Sequence, residues 1–233
     1  MSQTYYGDEI SRPIATGVST RATFIARTYT HLMGAIALFL AIEVALFQSG
    51  VAPSLARSML SVNWLLVLGA FVIVSWLASS AAASATSLAA QYAALGGFVA
   101  AQAIIFVPML YIADQVAPGA IQSAGLLTVV GFAGLTAIAF TTRKDFSFLN
   151  ALLRWAFIVA LLDIVGAVLF GFHLGTWFSV AMIGLAGAAI LRDTSNVILH
   201  FPEDRYVAAA LQLFASVALM FWYVLRLLMG ERR

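Results

Sequence analysis

The chain contains no cysteine, a single lysine and few charged residues of any kind, since Asp, Glu, Lys and Arg make up 9% of its 233 residues. Without cysteine there is no disulfide framework, no thiolate metal site and no cysteine nucleophile. The lysine, Lys144, lies in a polar break between two apolar runs, so the intramembrane lysine that a retinal protein needs is missing. A nucleic-acid surface is also excluded, because the basic residues are scattered and the formal net charge is +2.

Signatures of membrane hydrolases are missing as well. No Gly-x-Ser-Gly run indicates a serine protease of the rhomboid type, no Gly-x-Gly-Asp setting indicates an intramembrane aspartyl protease, and no His-Glu-x-x-His run is present. The three histidines, His31, His173 and His200, fall at separate predicted membrane edges, two on one side and one on the other. The sequence therefore predicts no enzyme, no catalytic residue, no cofactor and no tightly bound metal ion.

Most of the chain is apolar: 63% of its residues are hydrophobic and the mean hydropathy is +0.99. Soluble domains are about 45–50% apolar, and a membrane span needs about 20 apolar residues. The polar breaks predict an all-α, polytopic membrane protein with seven transmembrane helices. Their approximate ranges are 28–48, 62–83, 88–112, 120–142, 149–171, 177–199 and 206–229. We expect one membrane domain over residues 28–229, with a polar N-terminal arm at 1–27 and a basic tail at 230–233.

Lysine and arginine near the short loops predict the orientation. Eight of these residues fall on the side of the N-terminus and four on the other, which favours a cytoplasmic N-terminus and, with seven spans, an external C-terminus. The basic tail favours the opposite side, and it would be cytoplasmic if one span were re-entrant or missing. The compact chain favours the cytoplasmic membrane of a bacterium, with a mitochondrial membrane as the alternative.

Ionised groups within apolar spans are costly and mark pathways or switches. Asp193 lies near the end of the sixth predicted span, and Arg154 lies at a comparable depth in the fifth. Glu43 and Asp163 each lie about 21–23 Å from the cytoplasmic starts of their helices. Asp193 and Arg154 could thus form an ion pair at the inner end, with Arg192 or Arg205 as alternative partners for Asp193. Glu43 and Asp163 could form a polar site further out.

This arrangement predicts a cation route with a gate. Its ligands would be carboxylates, carbonyls and hydroxyls, an oxygen set that suits a hard cation such as Ca²⁺ better than zinc or copper. We expect Glu43, Asp163 and Asp193 to line the ion pathway, with Ca²⁺ as the transported ion. The alternative is that Asp193 pairs with an arginine only to anchor the end of its helix.

Three segments carry a family resemblance. They are residues 24–32 (FIARTYTHL), residues 139–147 (AFTTRKDFS), and residues 190–194 (ILRDT) followed by 206–214 (YVAAALQLF) and 221–227 (FWYVLRL). In this order and spacing the chain resembles the Bax inhibitor-1 (TMBIM) family of seven-helix membrane proteins. The resemblance implies a seventh helix surrounded by the other six, and a proton-sensitive Ca²⁺ leak gated by two aspartates on the last two helices.

Asp193 matches the first of those aspartates, and the position of the second is occupied by Ser216. Arg192 stands where the family usually has an aromatic or aliphatic residue. A serine supplies no second charge, and two like charges in one dry site are what gives such a pair its pH response. We expect an arginine to hold Asp193, with Ser216, Arg154 and Arg192 as the other gating positions, and pH control to be reduced.

Two functions follow. The first is a passive leak for Ca²⁺ or another cation, with pH influence and weakened aspartate-pair gating. The alternative is a non-transporting regulator that binds a membrane-bound ATP-dependent protease or another membrane protein, because bacterial relatives are associated with restraining such a protease. The polar arm at 1–27 and the missing second aspartate favour this alternative.

Overall fold

The computed structural model describes residues 13–84, 87–172 and 174–230. Its described part consists of eight helices without a strand. They are α1 (Pro13–Gln48), α2 (Ala52–Ser61), α3 (Trp64–Ser84), α4 (Leu88–Val116), α5 (Ala120–Thr142), α6 (Leu149–Phe170), α7 (Thr176–Leu199) and α8 (Tyr206–Gly230). All except α2 are long and apolar enough to cross a membrane, which confirms the prediction of seven spans.

The last helix, α8, forms the core of the bundle. It packs closely against α1, α3, α4, α5 and α7, and α6 reaches it through a buried cluster of Ala160, Met182 and Tyr223. Two-thirds of its span (67%) is buried inside the protein, against 6% for α3 and α6. The predicted arrangement of six helices around the seventh is confirmed.

The helix ends follow local turn chemistry. Ser87 caps α4 by accepting a hydrogen bond from the amide of Ala90. Gly171 ends α6 with φ +73°, a left-handed conformation that favours glycine, and its amide donates to the Ala167 carbonyl at 2.9 Å. These caps place sharp turns within the predicted breaks, so neighbouring spans run antiparallel with short loops.

Two boundaries differ from the prediction. The break after the first span contains the helix α2, which was predicted as a turn; Pro53 occupies its first turn, where the missing amide costs no helical hydrogen bond. Its ten residues are too few to span a bilayer. The helix α1 begins by Pro13, so residues 13–27 of the predicted polar arm are helical and continuous with the first span. Residues 1–12 and most of the predicted tail, residues 231–233, lie outside the described residues.

Candidate functional site at the end of α7

Asp193 lies in the last two turns of α7 and is 4% exposed. Its Oδ1 accepts hydrogen bonds from Nη1 of Arg192 at 2.7 Å and from Nε2 of Gln212 at 2.8 Å. Its Oδ2 accepts from the hydroxyl of Ser216 at 2.6 Å. We call these four residues and Asn150 the Asp193 cluster.

The helix α8 presents two of the donors because of its periodicity. Gln212 and Ser216 are four residues apart, so both side chains lie on one face of α8. That face packs against α7 over much of its length. The cluster therefore joins the outer helix α7 to the central helix α8 through one carboxylate.

Arg192 extends the cluster to a third helix. Its Nε donates to Oδ1 of Asn150, in the first turn of α6, at 2.5 Å. Its side chain is 28% exposed, whereas that of Asp193 is 5% exposed. The ion pair thus lies at the edge of the bundle, with the carboxylate inside and the guanidinium reaching toward α6.

The hydrogen bonds decide what the carboxylate can do. A buried carboxylate without partners is strongly unfavourable, and hydrogen bonds from a cation and two neutral donors offset much of that cost. Both oxygens are already engaged by side chains of α7 and α8. In the observed geometry the carboxylate is therefore a hydrogen-bond acceptor shared by two helices.

Arg21 of α1 holds the end of α7. Its guanidinium donates to the carbonyls of Val197 at 2.7 Å, Ile198 at 3.0 Å and Phe201 at 2.5 Å. Helices leave their last carbonyls without intrahelical partners, and an arginine there satisfies them and opposes the negative end of the helix dipole. Arg21 is therefore a side-chain cap supplied by a different helix.

The loop between α5 and α6 contacts the same end of α7. The Ser195 hydroxyl donates to the Lys144 carbonyl at 3.0 Å and accepts from the Phe146 amide at 3.2 Å. Asp145 accepts from the Ser147 amide at 2.8 Å, and its other oxygen lies 3.5 Å from Nε2 of His200. The Ser147 amide, with a smaller contribution from His200, holds the pKa of the Asp145 carboxyl below its ordinary value.

The other predicted site residues are not part of the cluster. Arg154 is exposed on α6, and among the described residues the cation paired with Asp193 is Arg192. Asp163 is exposed on the surface of α6, whereas Glu43 is 6% exposed inside the bundle on α1. Because α1 and α6 do not pack closely, the structure does not bring Glu43 and Asp163 into one polar site. Their roles in a pathway stay predictions.

Glu43 has a distinct environment. Neither carboxylate oxygen has a hydrogen-bond partner among the described residues. One turn before it, Phe39 packs edge-on against Phe106 of α4 and Phe214 of α8. Most buried polar side chains in proteins have a hydrogen-bond partner, so the Glu43 carboxyl group is unusual.

Sequence reasoning did not identify Gln212, Asn150 or Arg21 as site residues. Gln212 had a signal, since it lies one helical turn before Ser216. No pattern in the sequence points to Asn150 or Arg21. Asn150 is 42 positions from its partner Arg192, and Arg21 is about 180 positions from the carbonyls it binds. The contact between Asp193 and Ser216 was implied by the family pattern, and the structure places the two side chains in a hydrogen bond.

The fold and the cluster define a class: a multi-pass helical membrane protein with a central last helix that is joined to its neighbour by a buried carboxylate. The family model described as "Inhibitor of apoptosis-promoting Bax1" matches residues 21–233. The chain therefore belongs to the Bax inhibitor-1 family.

Curated bacterial relatives are similar to part of this chain. The Escherichia coli K12 protein named "Modulator of FtsH protease YccA" is 35% identical over 118 residues, which are 46% of this chain and 52% of the relative. An uncharacterized protein of Pseudomonas aeruginosa is 34% identical over 110 residues, 46% of this chain and 48% of the relative. The YccA protein of Escherichia coli O6:H1 is named an inner membrane protein. The chain thus spans about half the length of the curated relatives it matches.

Proposed function

We propose that this protein is a non-enzymatic regulator of a membrane-bound ATP-dependent protease in the inner membrane of a bacterium. Its similarity to a relative named as a modulator of FtsH protease carries the proposal. The Asp193 cluster agrees with it, because a carboxylate held by three donors is a fixed joint between α7 and α8.

The predicted contact with the protease is the polar N-terminal arm. A deletion that tests this contact must keep Arg21. Removing all of residues 1–27 would also remove the cap of α7. The appropriate deletion is residues 2–12, which precede the described part of α1. Deletion of residues 231–233 is the matched control at the other terminus.

The test reconstitutes the full chain with the membrane-bound ATP-dependent protease of the same organism in liposomes. The rate of ATP-dependent degradation of a membrane substrate is measured against the amount of this protein. We expect the rate to fall as the protein is added, the 2–12 deletion to lose the effect, and the 231–233 deletion to keep it. A degradation rate independent of the protein at every ratio would refute the proposal.

A second candidate function, a cation leak for Ca²⁺, is favoured by Glu43. A buried acid without a partner in a membrane span is a functional-site signal. Release of Asp193 from its donors would add a second carboxylate at the end of α7. In this candidate the cluster is a gate whose pH response is weakened because Ser216 replaces an acid.

The leak is tested by Ca²⁺ flux into dye-loaded proteoliposomes at acidic and alkaline pH. We expect Glu43→Gln to reduce flux and Asp193→Asn to change it. Ser216→Asp should introduce a pH dependence, because two carboxylates within hydrogen-bond distance share a proton. Asp163→Asn tests the predicted role of the exposed acid. Absence of flux in every folded variant would exclude the leak and leave the regulator proposal standing.

A further inference from the structure

A cavity of about 580 Å³ lies beside the central helix, between α3, α4 and α6. Along α8 its wall extends from Ala215 to Arg226, which at about 1.5 Å per residue is a length of about 16 Å. The hydrocarbon core of a bilayer is about 30 Å thick. The cavity therefore has the length of one lipid leaflet.

The cavity is open between two helices. Close packing joins α6 to α7, and α3 to α4 and α8, but α3 and α6 do not pack extensively against each other. The wall is mainly apolar, with Phe71, Phe98 and Leu219 among its side chains. Apart from Arg226 at one end, its polar members are uncharged: Ser75, Ser79, Gln102 and Tyr223. A lipid acyl chain is the ligand that such a groove can receive from the surrounding membrane.

Arg226 lies at one end of the cavity, near the end of α8. Its Nη2 donates to the carbonyl of Leu174 in the loop between α6 and α7 at 2.9 Å, and its guanidinium lies 5.5 Å from the ring centroid of Phe178. The loop contact places the charge at the level where a span meets the lipid headgroups. Within the described ranges, no carboxylate lies at ion-pair distance from Arg226.

The charge of Arg226 selects among ligands. A guanidinium has five N–H donors, and the hydrogen bond to the Leu174 carbonyl uses one of them. A positive charge at the end of the cavity disfavours cations and attracts an anionic group, and a phosphate can accept two hydrogen bonds from one arginine. A free phosphate would leave the apolar length of the cavity unused, whereas a phospholipid fills both parts.

We propose that this cavity binds an anionic phospholipid from the leaflet on the side of the α6–α7 loop. One acyl chain lies between α3 and α6 against α8, and the phosphate contacts Arg226. The inference goes beyond the regulator and the leak, since neither function requires it. A basic side chain near an anionic membrane surface contributes about 1 kcal/mol, equivalent to about a fivefold preference for the anionic lipid.

Trp222 lines the cavity and can report its occupant. The test uses a variant of the full chain that keeps Trp222 and has phenylalanine in place of the other four tryptophans. It is reconstituted into phosphatidylcholine vesicles that contain increasing fractions of brominated phosphatidylglycerol or brominated phosphatidylcholine. We expect half-maximal quenching of Trp222 fluorescence at about a fivefold lower fraction of brominated phosphatidylglycerol.

Substitutions separate the headgroup site from the acyl-chain groove. Arg226→Gln should abolish the preference for phosphatidylglycerol, and Arg226→Lys should retain part of it. Arg154→Gln is the matched control, because Arg154 is exposed on α6 away from the cavity lining. Ala167→Phe should fill the cavity from α6 and reduce quenching by both lipids. Thermal unfolding of each variant in detergent shows whether it is folded.

Two results would overturn the proposal. Equal quenching by the two brominated lipids would show that Arg226 selects no headgroup. A preference that survives Arg226→Gln in a folded protein would place the anionic lipid elsewhere.

Discussion

Asp193 and Asp163 are both acids in candidate spans, but their environments differ. The Asp193 carboxylate is buried and accepts hydrogen bonds from Arg192, Gln212 and Ser216, whereas the Asp163 carboxylate is exposed on α6. The same Asp→Asn substitution can therefore be compared at the two positions. Asp193 joins α7 to α8, and Asp163 lies on the surface of α6.

We expect Asp193→Asn to destabilise the protein by about 1–3 kcal/mol, because it removes the charge that Arg192 compensates and leaves donors without an acceptor. Asp163→Asn should change stability by no more than about 0.5 kcal/mol. The measurement is the unfolding midpoint of the detergent-solubilised variants. Equal shifts for the two substitutions would show that the cluster does not contribute to stability.

The Asp145 carboxyl group, which lies in the loop between α5 and α6, should make the contact of this loop with α7 depend on pH. Its pKa is lowered mainly by the Ser147 amide and also by His200. For an acid whose pKa is lower in the folded protein, the stabilisation is complete above the unfolded value, about 3.9, and is lost as the pH falls through the lower folded value. The contact of this loop with α7 should therefore weaken only below about pH 4.

Asp145→Asn should remove this acid-induced loss. Hydrogen–deuterium exchange of the 143–148 loop, measured between pH 3 and pH 6 with rates corrected for intrinsic exchange, checks it. The native chain should show additional opening at the acidic end of the range and Asp145→Asn should not. A native loop whose protection is constant down to pH 3 would contradict the assignment.

The family resemblance paired Asp193 with position 216, and the structure places the Asp193 carboxylate and the Ser216 hydroxyl in a hydrogen bond. The gating roles of these residues stay predictions. The expected partnership with Arg154 was one of several alternatives, and Arg192 is the arginine that the structure pairs with Asp193. Sequence gives the depth of a residue in a span, but the rotation of α6 about its axis depends on packing and turns Arg154 outward.

The cap supplied by Arg21 acts on a whole element. It bonds to three carbonyls around the end of α7, the helix that bears Asp193. Loss of the cap would release the last turn of α7 and, through it, the position of the cluster. This makes α1 part of the site although it contributes no residue to the cluster.

We expect Arg21→Lys to increase amide exchange in residues 196–201 by about tenfold, because an ammonium cannot reach three carbonyls in the planar geometry of a guanidinium. Arg57→Lys on α2 is the control, since Arg57 bonds within its own helix to the Pro53 carbonyl. Exchange followed by mass spectrometry checks both. Unchanged exchange in Arg21→Lys would show that the charge alone holds the helix end.

Two glycines lie where an added side chain would press against a neighbouring helix. A Cβ at Gly131 would lie 3.3 Å from Sδ of Met220, and one at Gly187 would lie 3.3 Å from Leu135. At Gly96, Gly97 and Gly184 a Cβ would have no neighbour within 4 Å. A larger residue at either position would require Met220 or Leu135 to shift by a few tenths of an ångström.

The described part of the molecule has seven candidate spans, and an odd number of crossings predicts that its two ends lie on opposite sides of the membrane. The start of α1, the 143–148 loop and the 200–205 loop meet at one end through Arg21, Ser195 and the Asp145–His200 contact. The excess of positive residues predicts that this end is cytoplasmic.

Reporter fusions test that orientation. We expect a fluorescent protein to be active at the N-terminus in the cytoplasm, and a C-terminal alkaline phosphatase to be active on the outer side. The reversed fusions should be inactive. A C-terminus and an N-terminus on the same side would mean that one of the seven helices does not cross the membrane.

The sequence by itself determined the number of candidate spans and the helical class, because both depend on local hydropathy. Only the tertiary structure decided that Arg192 holds Asp193, that Arg21 caps α7, and that a cavity beside α8 ends at Arg226. These contacts depend on the rotation and spacing of helices, which are set by side-chain packing between distant segments. The hydropathy of a span does not determine how its helix is rotated about its axis.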